Sequence, residues 1–391
     1  MSKYIYNNKL VLFLMILFFF KPICFQYYSS LVLVEDFFVL GKILAAVFFT
    51  TFSVLSIKKI KISFIKLNVA FFEVWLLFIT LWKHEAVFRA FIDAVTIIVL
   101  VLFVWRGISK YPCQFIVAFY NVIIVLVFCQ MISEIVYPSG MPADLYTNNK
   151  SNPLFFVTLD NGTSNIVCMG MLLTYLKQII LPTCGKKRVV AFYLPIIMCG
   201  ATAYLSGSTT GIISYIFFLI CLILVNNYSF EILDKRGFWI SMYIVLFCAI
   251  MIPNTPIQTL AERLTGKTSY TGRTTLWMIA INKIKEAPLT GYGRWTVDYL
   301  QVWGGRFSSH NVVLEILLQG GLIALSSWIG CIISGYKMMS KNSSASLRKI
   351  IYSAISVLLI VLMMESKVHS PYLFSVLAIA YACENKNGLV E

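Results

Sequence analysis

Hydrophobic positions fall along this chain in long unbroken blocks separated by short polar joints, not in the one-sided stripes of helices and strands that face water. At roughly 20 residues per membrane-crossing helix, the blocks predict about twelve spans, near 10–28, 37–57, 64–82, 86–105, 114–136, 163–181, 189–205, 210–226, 238–253, 311–334, 350–366 and 371–383. Residues 189–226 are almost continuously apolar, but Ser206-Gly207-Ser208-Thr209-Thr210 is a polar break that predicts a hairpin. Lys21 interrupts the first block and no small-residue cleavage site follows, so this block reads as a span and not as a cleaved signal peptide. The pattern predicts an all-α polytopic membrane protein with spans over 1–253, a large loop over 254–310, and further spans and a tail over 311–391.

Composition sharpens the class. The 391 residues are 59% hydrophobic and 13% charged, about half the charged share of soluble domains, which excludes a water-soluble globular protein. No appended soluble domain or internal repeat is visible, and no nucleic-acid partner is expected. The ten cysteines lie in or beside apolar blocks and read as packing residues.

Charge sets the orientation. With the N-terminus in the cytoplasm, the joints at Lys58/Lys59/Lys61/Lys66, Arg106/Lys110, Lys186/Lys187/Arg188, Lys235/Arg236 and Lys337/Lys341/Arg348/Lys349 all fall on one side, as the positive-inside rule requires. Both termini are then cytoplasmic, and the two sizeable loops, near 137–162 and 254–310, face outward. The first is rich in Pro, Asn, Ser and Gly and reads as irregular.

The second is long for a chain of short joints, and loops of that kind carry function. Within it Trp277, Ala280, Ile281 and Ile284 recur at helical spacing and predict an amphipathic helix over 273–287, ended by Pro288. Arg263, Lys267, Arg273, Lys283, Lys285, Arg294 and Arg306 oppose only Glu262, Glu286 and Asp298. That surplus lies on the side where topology disfavours bases, and arginine forks well onto phosphate oxygens, so an anionic ligand is expected. The span that follows begins beside His310, where the helix dipole and nearby arginines favour a neutral imidazole able to accept a proton.

The succession Gly272-Arg273-x-x-Leu276-Trp277, Ala287-Pro288-Leu289-x-Gly291-x-Gly293 and Ser309-His310-Asn311-x-x-Leu314-Glu315, followed by Gly320-Gly321-Leu322, resembles the signature of the O-antigen polymerase and O-antigen ligase superfamily. The resemblance implies glycosyl transfer, without metal or other cofactor, from a glycan on undecaprenyl diphosphate to a hydroxyl. That hydroxyl belongs to another lipid-linked repeat unit in a polymerase and to lipid A core in a ligase. It also implies a bilayer setting, with a flippase and a chain-length regulator of the same pathway as partners. Carried onto this chain, Arg273 and His310 are the catalytic candidates, and Arg263, Arg294 and Arg306 are candidates for the diphosphate. Asn311 and Glu315 share a helix face below the site as candidate substrate ligands. Where many members carry a Ser-Arg-Gly-like turn, this chain has Ser206-Gly207-Ser208-Thr209-Thr210-Gly211; either Ser208 and Thr209 bind sugar or phosphate there, or another arginine supplies the charge. A flippase or other transporter of lipid-linked oligosaccharide is the alternative from a different class.

Ionisable residues inside apolar blocks are costly and often functional. Here they include Glu73, Arg89, Asp93, Glu134, Glu315 and Glu365. Arg89 and Asp93, four apart, are expected to pair; Glu35-Asp36 reads as an interface pair, and His369 is an alternative base.

Overall fold

A computed structural model describes residues 8–55, 64–83, 87–146, 153–159, 162–181, 185–225, 228–252, 273–294, 300–302, 305–306, 308–339 and 344–383. These residues form a helical bundle: α1 Lys9–Phe19, α2 Val32–Leu55, α3 Phe64–Trp82, α4 Val87–Lys110, α5 Pro112–Val136, α6 Thr163–Ile180, α7 Gly185–Leu205, α8 Thr209–Val225, α9 Arg236–Met251, α10 Arg273–Glu286, α11 Val312–Met338, α12 Ala345–Leu362 and α13 Pro371–Ala382. A two-residue antiparallel pair, β1 Gln301–Val302 with β2 Gly305–Arg306, is the only ladder among the described residues.

Among the described residues four helices are long and apolar enough to cross a membrane: Ala90–Lys110, Pro112–Val136, Val312–Met338 and Ala345–Leu362. The chain is therefore a polytopic helical membrane protein. Six other apolar helices are shorter, among them α1, which ends at Phe19 where a span to residue 28 was expected. The physical reason is Pro22, which lacks an N–H and disfavours helix at the residue before it; short 3-10 turns follow over Ile23–Tyr27 and Ser29–Leu31. The first loop is pinned to α5, because Gln130 Oε1 accepts from the Val157 and Thr158 amides at 2.8 and 3.2 Å.

Helices α6, α12 and α13 are buried along almost their whole length and form the centre. Helices α3 and α11 pack along each other, with Ser327 Oγ donating to the Asn68 carbonyl at 3.0 Å. The ends of α3, α5 and α12 and the starts of α4, α6, α11 and α13 share one end of the bundle with α10, here termed the loop end.

Helix α11 is broken at Gly321, whose φ is 65° and ψ −163°, a region open essentially to glycine alone. An unbroken helix would bond the Leu322 amide to the Leu318 carbonyl and the Ile323 amide to the Gln319 carbonyl. Instead the segment after α10 takes up all four groups. Tyr292 N donates to Leu318 O at 2.7 Å and Gly293 N to Gln319 O at 2.9 Å, while Leu322 N donates to Pro288 O at 2.8 Å and Ile323 N to Leu289 O at 3.5 Å. Trp75 Nε1 of α3 donates to the Gly320 carbonyl at 2.9 Å. Non-helical backbone at membrane depth is tolerated only when its polar groups are satisfied by protein in this way. Gly291, at φ 66°, has no room for a Cβ against Leu318 and Gln319. The break lies nine residues inside α11, ~13 Å from its start at 1.5 Å per residue, so residues 288–294 enter the bundle.

A Cβ at Gly321 would run into the Leu289 carbonyl carbon and oxygen, whereas at Gly237, near the start of α9, it would meet nothing within 4 Å. Gly321→Ala should therefore destabilise the detergent-solubilised protein by at least ~2 kcal/mol, and Gly237→Ala should stay within ~1 kcal/mol of wild type. Thermal unfolding of the two variants side by side checks this; equal effects would remove the break from the fold's requirements.

Candidate active site

The turn before α11 presents His310 by fixing both of its neighbours. Asn311 is the N-cap, its Oδ1 accepting from the Val313 and Leu314 amides at 3.0 and 3.2 Å. Ser309 is buried; its amide and hydroxyl donate to Glu315 Oε2 at 3.0 and 2.8 Å, and Gln319 Nε2 holds the other carboxylate oxygen at 3.0 Å. Trp277 of α10 donates from Nε1 to the Ser309 carbonyl at 3.0 Å. Between these anchors His310 takes φ 47°, the only positive φ outside glycine among the described residues. Such a backbone costs on the order of 1–3 kcal/mol and persists only when its surroundings impose it.

Around His310 lie the groups that set its charge. Burial first, and the Arg273 guanidinium second, push its imidazole down to about 4, so it is neutral at pH 7. The linker between α12 and α13 closes over the same turn, with Ser366 Oγ donating to Ser308 Oγ at 2.9 Å. Burial raises the Glu365 carboxyl while Lys367 and Arg273 pull it down. Arg273 and His310 thus form a cationic, proton-accepting corner, with Glu365 within electrostatic reach of Arg273 and of Lys367.

A second polar cluster lies deeper. The Arg294 amide donates to Thr80 Oγ1 at 2.9 Å, and its guanidinium pairs with Asp93 Oδ2 at 2.7 Å. Asp93 therefore pairs with an arginine far along the chain; the side chain of Arg89, the partner expected for it, is outside the described residues. His369 Nδ1 lies 2.9 Å from Glu73 Oε1 with its Nε2 buried and unpartnered. Burial, then Arg294, holds His369 well below the usual imidazole range, so it too is neutral.

The remaining candidates divide. Asn311 and Glu315 shape the His310 turn from within, Glu315 by holding Ser309 and Gln319 through its two carboxylate oxygens. Ser208 is buried and its Oγ accepts from the Gly211 amide at 3.2 Å; this hydroxyl caps α8, which Thr209 begins. Arg263 and the side chain of Arg306 lie outside the described residues. Glu35 accepts from Lys21 at 2.6 Å. Lys367 is the residue the sequence reading passed over, because a lone lysine in a short joint carries no motif. Among the described residues no three His, Cys, Asp or Glu side chains gather as a metal-ligand set.

Diethyl pyrocarbonate acylates only neutral imidazole, so the rate of His310 modification, followed by peptide mass spectrometry, should stay level from pH 8 to pH 5 and fall with a midpoint near 4. Removing the Arg273 charge in Arg273→Gln should move the midpoint up, short of the usual 6.5 because burial remains. A wild-type midpoint at 6.5 would contradict the site's electrostatics. The sign for stability follows: the unfolded chain protonates His310 more readily, so stability falls as pH drops from 6.5 towards 4.

No curated protein matches the chain. Residues 194–329 match the family model of O-antigen ligase, a stretch that holds α8 to α10, the His310 turn and the α11 break. The match is consistent with the O-antigen polymerase and ligase superfamily.

Proposed function

We propose that the protein is a polysaccharide polymerase that moves a glycan from undecaprenyl diphosphate to a hydroxyl of a second lipid-linked repeat unit. In this reading the chain crosses the inner membrane about twelve times with both termini in the cytoplasm, and the loop end faces outward. The observation that carries the proposal is the strained, neutral His310 beside the Arg273 charge.

The chemistry asks for little more. The acceptor hydroxyl gives its proton to a ring nitrogen of His310 while its oxygen attacks the anomeric carbon. The bond from that carbon to the diphosphate oxygen breaks, and the diphosphate leaves with the electron pair. In this reading Arg273 meets the charge that grows there, and a preorganised cation in a site of low dielectric is worth far more than in water. A base at the hydroxyl adds ~10²–10⁴-fold. Diphosphate is a good leaving group, so the reaction is proposed to run without metal.

Ligation to lipid A core is the second reading, favoured by the description of the matching family. A null strain separates the two: polymerase loss leaves one repeat unit on lipid A core, and ligase loss leaves the core bare. His310→Ala or Arg273→Ala should keep normal protein abundance and reduce long-chain polysaccharide to single repeat units on a gel. Wild-type chain lengths in both variants would remove these residues from the reaction.

A further inference from the structure

Helix α6 begins at a point where a cation and a hydroxyl converge on an uncapped turn. Its N-cap is Gly162, which has no side chain to bond the first-turn amides, whereas Asn311 and Ser370 cap α11 and α13. A Cβ on Gly162 would run into Thr158 Oγ1 and Lys367 Nζ, so both groups stand over the bare Cα. The loop before α6 delivers Thr158, whose amide donates to Gln130 Oε1 at 3.2 Å, and the α12–α13 linker delivers Lys367. Lysine is a poor neighbour for this place, because the start of an 18-residue helix carries the positive end of its dipole. An anion set between the ammonium and the first turn makes the arrangement favourable.

A buried side chain without partners faces the same space. Asn165, the third residue of α6, is 0% exposed, and among the described residues neither its Nδ2 nor its Oδ1 has a hydrogen-bond partner. Gly162 has helical φ and ψ of −75° and −14°, so Asn165, three residues on, lies on the same face of the helix. Helical side chains lean towards the N-terminus, which aims the Asn165 amide at the space over Gly162. A buried polar group left unsatisfied costs ~1–3 kcal/mol. The acids nearby leave this face open. Glu365, within electrostatic reach of Lys367, is shared with Arg273. Glu134 approaches the first turn from α5, where Gln130 Nε2 bridges it to Thr163 Oγ1 at 2.9 and 3.5 Å, on a different face from Gly162 and Asn165.

We infer that the start of α6, with Lys367, Thr158 and Asn165, binds a phosphoryl group. The first-turn amides, an ammonium, a hydroxyl and a side-chain amide supply donors from several directions, as the oxygens of a tetrahedral anion require. Lys367 is exposed, so the site opens at the loop end. No arginine takes part, which separates it from the Arg273 charge, and the inference stands without the polymerase reading. The two sites are neighbours along the chain, since Ser366 donates to Ser308 of the His310 turn at 2.9 Å. A phosphoryl group on Lys367 would thus hold the linker against that turn.

The test follows acetylation of Lys367 by acetic anhydride in the purified full-length protein, in phosphatidylcholine nanodiscs, by peptide mass spectrometry. Exposed Lys83, at the end of α3, is the internal control. Inorganic phosphate should slow acetylation of Lys367 and leave Lys83 unchanged. The concentration giving half protection should rise by ~10-fold or more in Asn165→Leu and in Thr158→Val, the factor that corresponds to about 1.4 kcal/mol. Asn165→Leu should melt no lower than wild type without phosphate, since it removes an unpartnered buried amide, and Thr158→Val tests the site from the other side. Protection by phosphatidic acid in the nanodisc but not by free phosphate, again lost in Asn165→Leu, would support the site and assign it to a lipid head; protection by free phosphate would assign it to a soluble ligand. Equal protection by sodium chloride at matched ionic strength would overturn the site, leaving a surface lysine and its ion atmosphere. Undiminished protection in both variants, or no protection by either probe, would overturn it too. The readout needs no glycosyl transfer, so its failure leaves the polymerase reading standing, and failure of that reading leaves this site standing.

Discussion

The exchange of four backbone hydrogen bonds between residues 288–293 and the break in α11 is the interaction on which the loop end depends. A helix broken inside a membrane leaves amides and carbonyls that nothing in lipid can satisfy, at several kcal/mol each. Here Leu318 and Gln319 give up their carbonyls, and Leu322 and Ile323 their amides, to one entering segment. Neither piece can hold its conformation alone. Because the segment leads directly into Arg294, the exchange also sets the depth at which that guanidinium meets Asp93 and Thr80.

The same coupling reaches His310. Helix α10 enters the exchange through Pro288 and Leu289 and touches the His310 turn through Trp277, so the arginine at its start and the histidine at the start of α11 belong to one rigid unit. Burial and the Arg273 charge then act in the same direction on the imidazole, which stays neutral and able to take a proton. The α12–α13 linker joins the two polar clusters, touching Ser308 through Ser366 and Glu73 through His369 three residues later.

Much of this was legible in the chain because it is local. The apolar blocks correspond to helices, and the spacing of Trp277, Ala280 and Ile284 marked α10, found over Arg273–Glu286. The motif order brought Arg273 and His310 into one proposal, and the structure brings them within electrostatic reach. What could not be read was every pairing that spans the chain. The entering segment delivers Arg294 to Asp93 from 201 positions away. Gly320-Gly321 reads as a pair of small residues until the partner carbonyls at Pro288 and Leu289 are in place. The cap that Ser208 Oγ makes to the Gly211 amide is a short-range contact that a hydroxyl at a helix start allows but does not announce. Arg273 gains its effect on Glu365 only once the α12–α13 linker is folded beside it.

The central claim is that a neutral His310 and the Arg273 cation beside it couple departure of a diphosphate to formation of a glycosidic bond. The most direct measurement is single-turnover release of undecaprenyl diphosphate by the purified protein, set against new glycosidic bonds, for wild type and His310→Ala. The account predicts one diphosphate released per bond formed, with both rates falling together by ~10²-fold or more in the variant. Release without bond formation, or an unchanged rate in His310→Ala, would contradict it.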